Sequence, residues 1–240
     1  IKNTDRTVGA KLSHKIVQNK NNKLNLPVDV KFKGTAGQSF GAFLQSDIRF
    51  KLTGDANDYV AKGLSGGKIV IKKPKGSTDE NLLVGNTALY GATSGRLYIN
   101  GDAGERFAVR NSGAIAVVEG LGNHGCEYMT NGIVVVLGSV GSNFGAGMSG
   151  GVSFIFNKTV NTLDKVNEDM VKIKKATKED LTIIKDLIQD FYNSTKSKKA
   201  KQILNGWNYY KNLFAKVSNP KYDNIIENKK LNIFSSIEVN

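Results

Sequence analysis

Three glycines in the stretch "IAVVEGLGNHGCEYM" (115–129), Gly120, Gly122 and Gly125, stand in GxGxxG spacing directly after an apolar, β-branched run. That spacing opens the pyrophosphate loop of dinucleotide-binding folds, where glycines let backbone amides close on phosphate at a helix N-terminus. The chemistry needs a helix of roughly ten residues after the loop and an acidic residue about 20 positions on for a ribose. Here "CEYMTNGIVVVL" follows, with an Asn-Gly turn and another β run, and no Asp or Glu occurs between Glu127 and Asp164. The spacing is therefore expected to be a by-product of turns, with no cofactor bound there.

His124 and Cys126 raise a second chemistry, because two ligands at i and i+2 share a face of a strand, with Glu127 adjacent. A zinc site needs three or four such ligands. The only other histidine, His14, is distant in sequence, so no metal site and no catalytic residue is expected. Glu105, Arg106 and Arg110 in "AGERFAVRNSG" form a charged cluster on a turn and strand, expected to make intrachain or interdomain contacts. Ser94, Ser112, Asn131 and Ser149 resemble a row of nucleophiles but are expected to satisfy turn backbone groups.

These residues must be positioned by elements that glycine punctuates. Of 26 glycines, 25 lie between Gly9 and Gly151, and only Gly206 lies beyond. The step marks a Gly-rich β region over residues 1–157 and a helical extension over 158–240, with a tail from about residue 223 expected to lack fixed structure. Within the first region a small polar residue, Gly and a short apolar run recur in "SGGKIVI", "SGRLYI", "SGAIAVV", "NGIVVVL" and "SGGVSFIF". The glycines of this ladder are Gly66, Gly95, Gly113, Gly132 and Gly150, spaced 29, 18, 19 and 18 residues apart. A second ladder sets Gly three residues before an aromatic, in "GQSF", "GERF", "GCEY" and "GSNF". A period of that length fits one coil of two strands and their turns, and predicts a right-handed parallel β-helix. Glycine would recur where each coil turns a corner at positive φ or lets backbones approach closely. Leu97, Ile115, Val134 and Val152, with Ile99, Val117, Val136 and Phe154, are expected to stack as columns on one face. Lys68 and Val70 break that register, where Gly67 adds a bulge.

The stretches "GTAGQSFGAF", "GDANDYVAKGLSGGKIVI", "VGNTALYGATSG", "AGERFAVRNSGAIAVVEGLGNHGCEYMTNGIVVVLG" and "NFGAGMSGG" closely resemble the C-terminal GXGXG domain of the glutamate synthase large (α) subunit. The likeness runs from about Asn3 to about Tyr222 and includes "NTDRTVGAKLS". It departs in extra Lys and Asn in "VQNKNNK", a shortened "KGSTDEN" loop, Ala61 where Gly is usual, and the tail from about Asp223. The resemblance implies a non-catalytic β-helix scaffold in an oxidoreductase that makes two glutamates from glutamine, 2-oxoglutarate and a reductant. It further implies that FMN, an iron–sulfur cluster and NAD(P)H or ferredoxin bind elsewhere in the parent. The implied partners are its amidotransferase, central and FMN-binding domains and a small reductase subunit or domain.

Composition narrows the alternatives. The net charge of +13 comes from 34 basic and 21 acidic residues, but only five of the basic residues are arginine and none follows Arg110. Lysines interleave with asparagines, which reads as compositional bias rather than a nucleic-acid stripe, so no nucleic-acid partner is expected. A carbohydrate-binding or lyase-type β-helix would want rows of acids, and they are few between Gly85 and Phe156. No apolar run approaches the roughly 18 residues of a membrane span, and no membrane partner is expected. The start "IKNTDRTVGA" lacks an initiator Met and a leader pattern, predicting a soluble piece of a longer chain. A single cysteine, Cys126, fits a reducing intracellular compartment, cytoplasm or plastid.

In the helical extension, Thr177 is placed to cap a helix with Asp180 three residues on and Leu181, Ile184, Leu187, Ile188 and Phe191 at helical spacing. A second helix is predicted from about Lys198 to Val217, carrying Ile203, Leu204, Trp207, Tyr210 and Phe214 before Pro220. Their apolar faces are expected to cover a flank or an end of the solenoid.

Overall fold

A computed structural model describes residues 1–18, 27–77, 82–158 and 161–228. The "VQNKNNK" and "KGSTDEN" departures fall largely outside these residues, as does the chain beyond 228. Helix α1 (Ala10–Gln18) leads into β1 (Val28–Ala36), β2 (Ile48–Ala56), β3 (Ser65–Lys72), β4 (Leu82–Val84) and β5 (Ser94–Ala103). Strands β6 (Ser112–Leu121), β7 (Asn131–Val136) and β8 (Val152–Phe156) complete the series. Strands β1, β2, β3, β5, β6, β7 and β8 pair in parallel in that order, giving a parallel β-solenoid of about seven turns.

Register decides what each side chain meets. One column runs Phe50, Ile69, Leu97, Ala116, Val134, Ser153, and the next but one runs Leu52, Ile71, Ile99, Val118, Val136, Ile155. These pack inside the coil, while Tyr98, Ile115, Val117, Ile133, Val135, Val152 and Phe154 face outward. The expected single-face columns are thus corrected at β6 and β8: Ile115, Val117, Val152 and Phe154 lie on the outer face. Extra residues before the strands shift the pairing between Ser65 and Lys68 and again between Ser112 and Ile115. A one-residue slip turns every following side chain over.

The same bulges alter the glycine ladder. Gly66, Gly95 and Gly132 have φ of 119°, 99° and 97°. Gly113 and Gly150 do not take positive φ; Gly151 does, at 77°. A Cβ on Gly113 would lie 2.1 Å from the Thr93 carbonyl oxygen, and one on Gly150 2.2 Å from that of Thr130, so close approach of coils is what excludes side chains there.

Opposite the strands, each coil carries a strip whose residues take positive φ at every second position: Tyr59, Ala61 and Gly63, then Thr87, Leu89 and Gly91, then Arg106, Ala108 and Arg110, then His124, Cys126 and Tyr128. The middle N–H of each triplet donates to the preceding coil, as from Ala61 to Phe40 and from Cys126 to Phe107, and the outer two to the following coil. Bulky residues tolerate φ near 60° here because each donor is satisfied by a neighbouring coil. Phe40, Phe107 and Phe144 of the second ladder are buried, but Tyr128 is 57% exposed. Gly125 holds the equivalent inner position, and the Phe144 ring occupies the space a Cβ there would need.

The C-terminal region supplies β9 (Lys172–Lys175), α2 (Lys178–Thr195), α3 (Lys198–Asn205), α4 (Trp207–Tyr210), β10 (Phe214–Ser218) and α5 (Pro220–Asn228). Thr177 and Asp180 form the expected capping box of α2. Its buried Ile184, Leu187, Ile188 and Phe191, with Ile203 of α3, cover the outer apolar face of the sheet. The predicted long second helix is corrected: Gly206 ends α3, and Phe214 to Ser218 pair antiparallel with β8. Added strand β10 covers the edge that the last coil would expose. At the other end, Leu12 and Ile16 of α1 pack on the first coils. The stretch expected to be an unattached tail from about residue 223 is helical as far as Asn228, and Asp223 accepts from Lys174 Nζ and the Ser218 hydroxyl.

Candidate functional site

The GxGxxG glycines lie at the end of β6 and in the strip, and β7 follows them. Gly122 N–H donates to the Ala103 and Gly104 carbonyls, His124 N–H to Ser142, and Cys126 N–H to Phe107. These three amides are taken by adjacent coils, and the loop opens no helix at which a pyrophosphate would sit.

His124 and Cys126 do not share an accessible face. His124 is partly exposed, with Nδ1 2.6 Å from Glu127 Oε1, whereas Cys126 is fully buried. Burial pushes the Cys126 thiol up to about 12, opposed by a hydrogen bond with Ser153. A thiol so protonated is neither a ready nucleophile nor a ready ligand. The i and i+2 expectation assumed a strand; the strip, with alternating φ, turns the cysteine inward.

Glu105, Arg106 and Arg110 are exposed on the strip. Glu105 accepts from Asn123 Nδ2 at 3.1 Å, and its N–H donates to Asn86. The three form no ion pair with one another. Of the row Ser94, Ser112, Asn131 and Ser149, the Ser112 hydroxyl donates to the Ala92 carbonyl, and the Asn131 amide oxygen accepts from its neighbour Gly132 N–H and from the Tyr222 hydroxyl.

A concavity lies elsewhere, where the outer face of β1, β2, β3 and β5 meets α2. It is an open groove of about 870 Å³ whose lining includes Lys31, Arg49, Lys51, Lys68, Arg96 and Asp190. Asp190 on α2 takes bonds from Lys68 Nζ at 3.0 Å, Arg96 Nη1 at 2.9 Å and the buried Tyr98 hydroxyl at 2.7 Å. Burial alone would raise the Asp190 pKa, but the Tyr98 hydroxyl and the Lys68 and Arg96 charges outweigh it and hold the carboxyl below its ordinary range. Burial, then the Asp190 charge, drives the Tyr98 phenol far above its ordinary value. The cluster ties α2 to the sheet.

Sequence reading missed this face. Its signal was present in "VDVKFKG" and "IRFKLTG", where apolar and basic residues alternate with period two, so every cation points to the side opposite Val30, Phe32, Phe50 and Leu52. Treating lysine as compositional bias hid it.

Among the described residues no three His, Cys, Asp or Glu side chains gather to hold a metal, and no helix is long and apolar enough to cross a membrane. A family model described as GXGXG motif matches residues 1–220. The chain is 49% identical over 232 residues to glutamate synthase (NADH) of Schizosaccharomyces pombe, covering 94% of this chain and 11% of that protein. It is 50% identical over 232 residues to the ferredoxin-dependent glutamate synthase of Pyropia yezoensis, covering 95% and 15%. Over 234 residues it is 45% identical to the glutamate synthase (NADPH) large chain of Bacillus subtilis, covering 94% and 15%. The chain thus spans 11 to 15% of the length of these relatives.

Proposed function

The chain belongs to the GXGXG-motif family, as the counterpart of that domain in glutamate synthases, and from that premise we propose that it is a non-catalytic scaffold which holds the other parts of such an enzyme in place. The parent would convert glutamine, 2-oxoglutarate and reducing equivalents into two glutamates, with its FMN, iron–sulfur cluster and NAD(P)H or ferredoxin bound outside these residues. Its amidotransferase, central and FMN-binding domains, and a small reductase subunit or domain, would be the partners.

The observation that carries the reading is how the solenoid spends its polar groups. The interior is filled by apolar columns, and the strip amides bond from coil to coil. The residues present do not fit the parent's cofactors. One buried cysteine cannot supply the ligand set of a cluster, and the glycine loop gives alternate amides to neighbouring coils and opens no helix for a phosphate. Glu105, Arg106 and Arg110 would be among the outward contacts, since they project from the strip without forming ion pairs to one another.

The test is kinetic. In an intact glutamate synthase carrying this chain, His124→Ala and Cys126→Ala should each leave the rate of glutamate formation within about two-fold. Loss of an acid, base or nucleophile typically costs 10²-fold or more, and a fall of that size in a variant that remains folded would place chemistry in this domain.

A further inference from the structure

The outer face of the first coils is a grid of cations. In β-register, Lys31 faces Lys51, and Arg49 faces Lys68, which faces Arg96; Lys72 stands on the same face beside Thr53. Neighbouring strands are about 4.8 Å apart, and like charges directly opposite across them are destabilising. Asp190 answers only Lys68 and Arg96, at the helix-covered side of the groove. Among the described residues, Lys31, Arg49, Lys51 and Lys72 make no ion pair. Lys51 feels this directly: partial burial first, then Lys72, Lys31, Lys196 and Lys68, lower its pKa.

Asp190 shows what the face accepts. Its carboxylate is held by an ammonium, a guanidinium and a phenol from three adjacent positions of the sheet; toward β1 the Arg49 column ends on Asp29, while the neighbouring column of Lys31 and Lys51 carries no carboxylate. We infer that the open part of this groove, over Lys31, Arg49, Lys51 and Lys72, docks a carboxylate-rich polypeptide segment from elsewhere in the assembly. The groove is open and wide, which suits a chain segment better than an enclosed metabolite. Lysines dominate over the bidentate forks that favour phosphate, and the anion already seated is a carboxylate. The 85 to 89% of the relatives' length that lies outside the match leaves ample chain to supply the segment. This inference rests on the scaffold reading, since it seeks the occupant in the surrounding enzyme.

Zero-length carbodiimide coupling of the native assembly, followed by peptide mapping, reads the contact residue by residue, because an amide forms only where an amine already touches a carboxylate. Lys31 and Lys51 should link to Asp or Glu residues outside residues 1–240. In the Lys31→Glu, Arg49→Glu, Lys51→Glu triple variant the link from Lys72 should fall at least five-fold, while Lys11→Glu with Lys15→Glu leaves it unchanged. The Lys174 to Asp223 link, whose atoms are 2.8 Å apart, reports that each variant is folded. Groove lysines that link to nothing, or only to Asp29, Asp47 and Asp190, while Lys174 couples, would overturn the proposal. So would links from Lys31 to a second copy of this chain, or shielding of the groove lysines by duplex DNA at physiological salt. Links that leave the chain only from other residues would sink the groove and keep the scaffold; a chain with no outward links would sink both.

Discussion

Gly132→Val is expected to lower the stability of the fold by about 3 to 5 kcal/mol, as the sum of a strained backbone and a broken buried hydrogen-bond group. Gly132 has φ of 97°, a region β-branched residues do not enter without strain. A Cβ there would sit 2.4 Å from the Ala114 carbonyl oxygen and 2.7 Å from Asn111 Nδ2. Asn111 is fully buried; its amide donates to Ala114 and its oxygen accepts from Ala114 and Gly113. Moving it would leave polar groups unpaired between two coils. Gly91→Ala is the control, because Gly91 also has positive φ but nothing within 4 Å of the added carbon. It should cost only the backbone term, about 1 to 2 kcal/mol. Urea midpoints of the two variants check this, and equal midpoints would remove the close approach of coils from the explanation.

Asp190→Asn should cost about 1 to 3 kcal/mol at neutral pH, since it keeps the size of the side chain but leaves Lys68 and Arg96 without their counter-charge beside the buried Tyr98. The sign of the pH dependence follows from the depressed folded-state pKa of Asp190. A group depressed on folding contributes stability that is complete above its unfolded value, about 3.9, and is lost as pH falls through the lower folded value. The gap between wild type and variant should therefore be open at pH 7 and close on acidification below about pH 4. A gap that persists unchanged into that range would mean packing, rather than charge, carries the effect.

Both predictions draw on features that differ in how legible they were. The coil period and the ladder glycines were plain, because Gly recurs before each apolar run. The strip was not, because Tyr59, Leu89, Cys126 and Tyr128 have no intrinsic taste for positive φ, and their conformation is imposed by hydrogen bonds from coils 18 or more residues away. Which apolar residue faces inward was lost at single inserted residues: Gly113 sits in the bulge that turns Ile115 outward, and the second glycine of the Gly150–Gly151 pair places Val152 beside the outward Ile133. Phe214 and Val217 fitted a helical period as well as a strand, and only the open edge of β8 decided between them. The cation face was hidden for the opposite reason. Its period-two signal was clear in β1 and β2, but a whole-chain view of lysine content overrode it.

The departure Ala61 illustrates the same physics at one residue. It takes φ of 57°, is fully buried, and its N–H still reaches Phe40 of the preceding coil. A methyl group is thus accommodated where the resemblance led to the expectation of glycine, and the local fold is kept.

Calorimetric titration of the purified chain with FMN, NADH and 2-oxoglutarate tests the scaffold role most directly. A domain that spends its interior on apolar columns and its strip amides on neighbouring coils should give no saturable heat with any of the three. Saturable binding of one of them tighter than about 10 μM, roughly −7 kcal/mol, would contradict the role and place a ligand site within the solenoid.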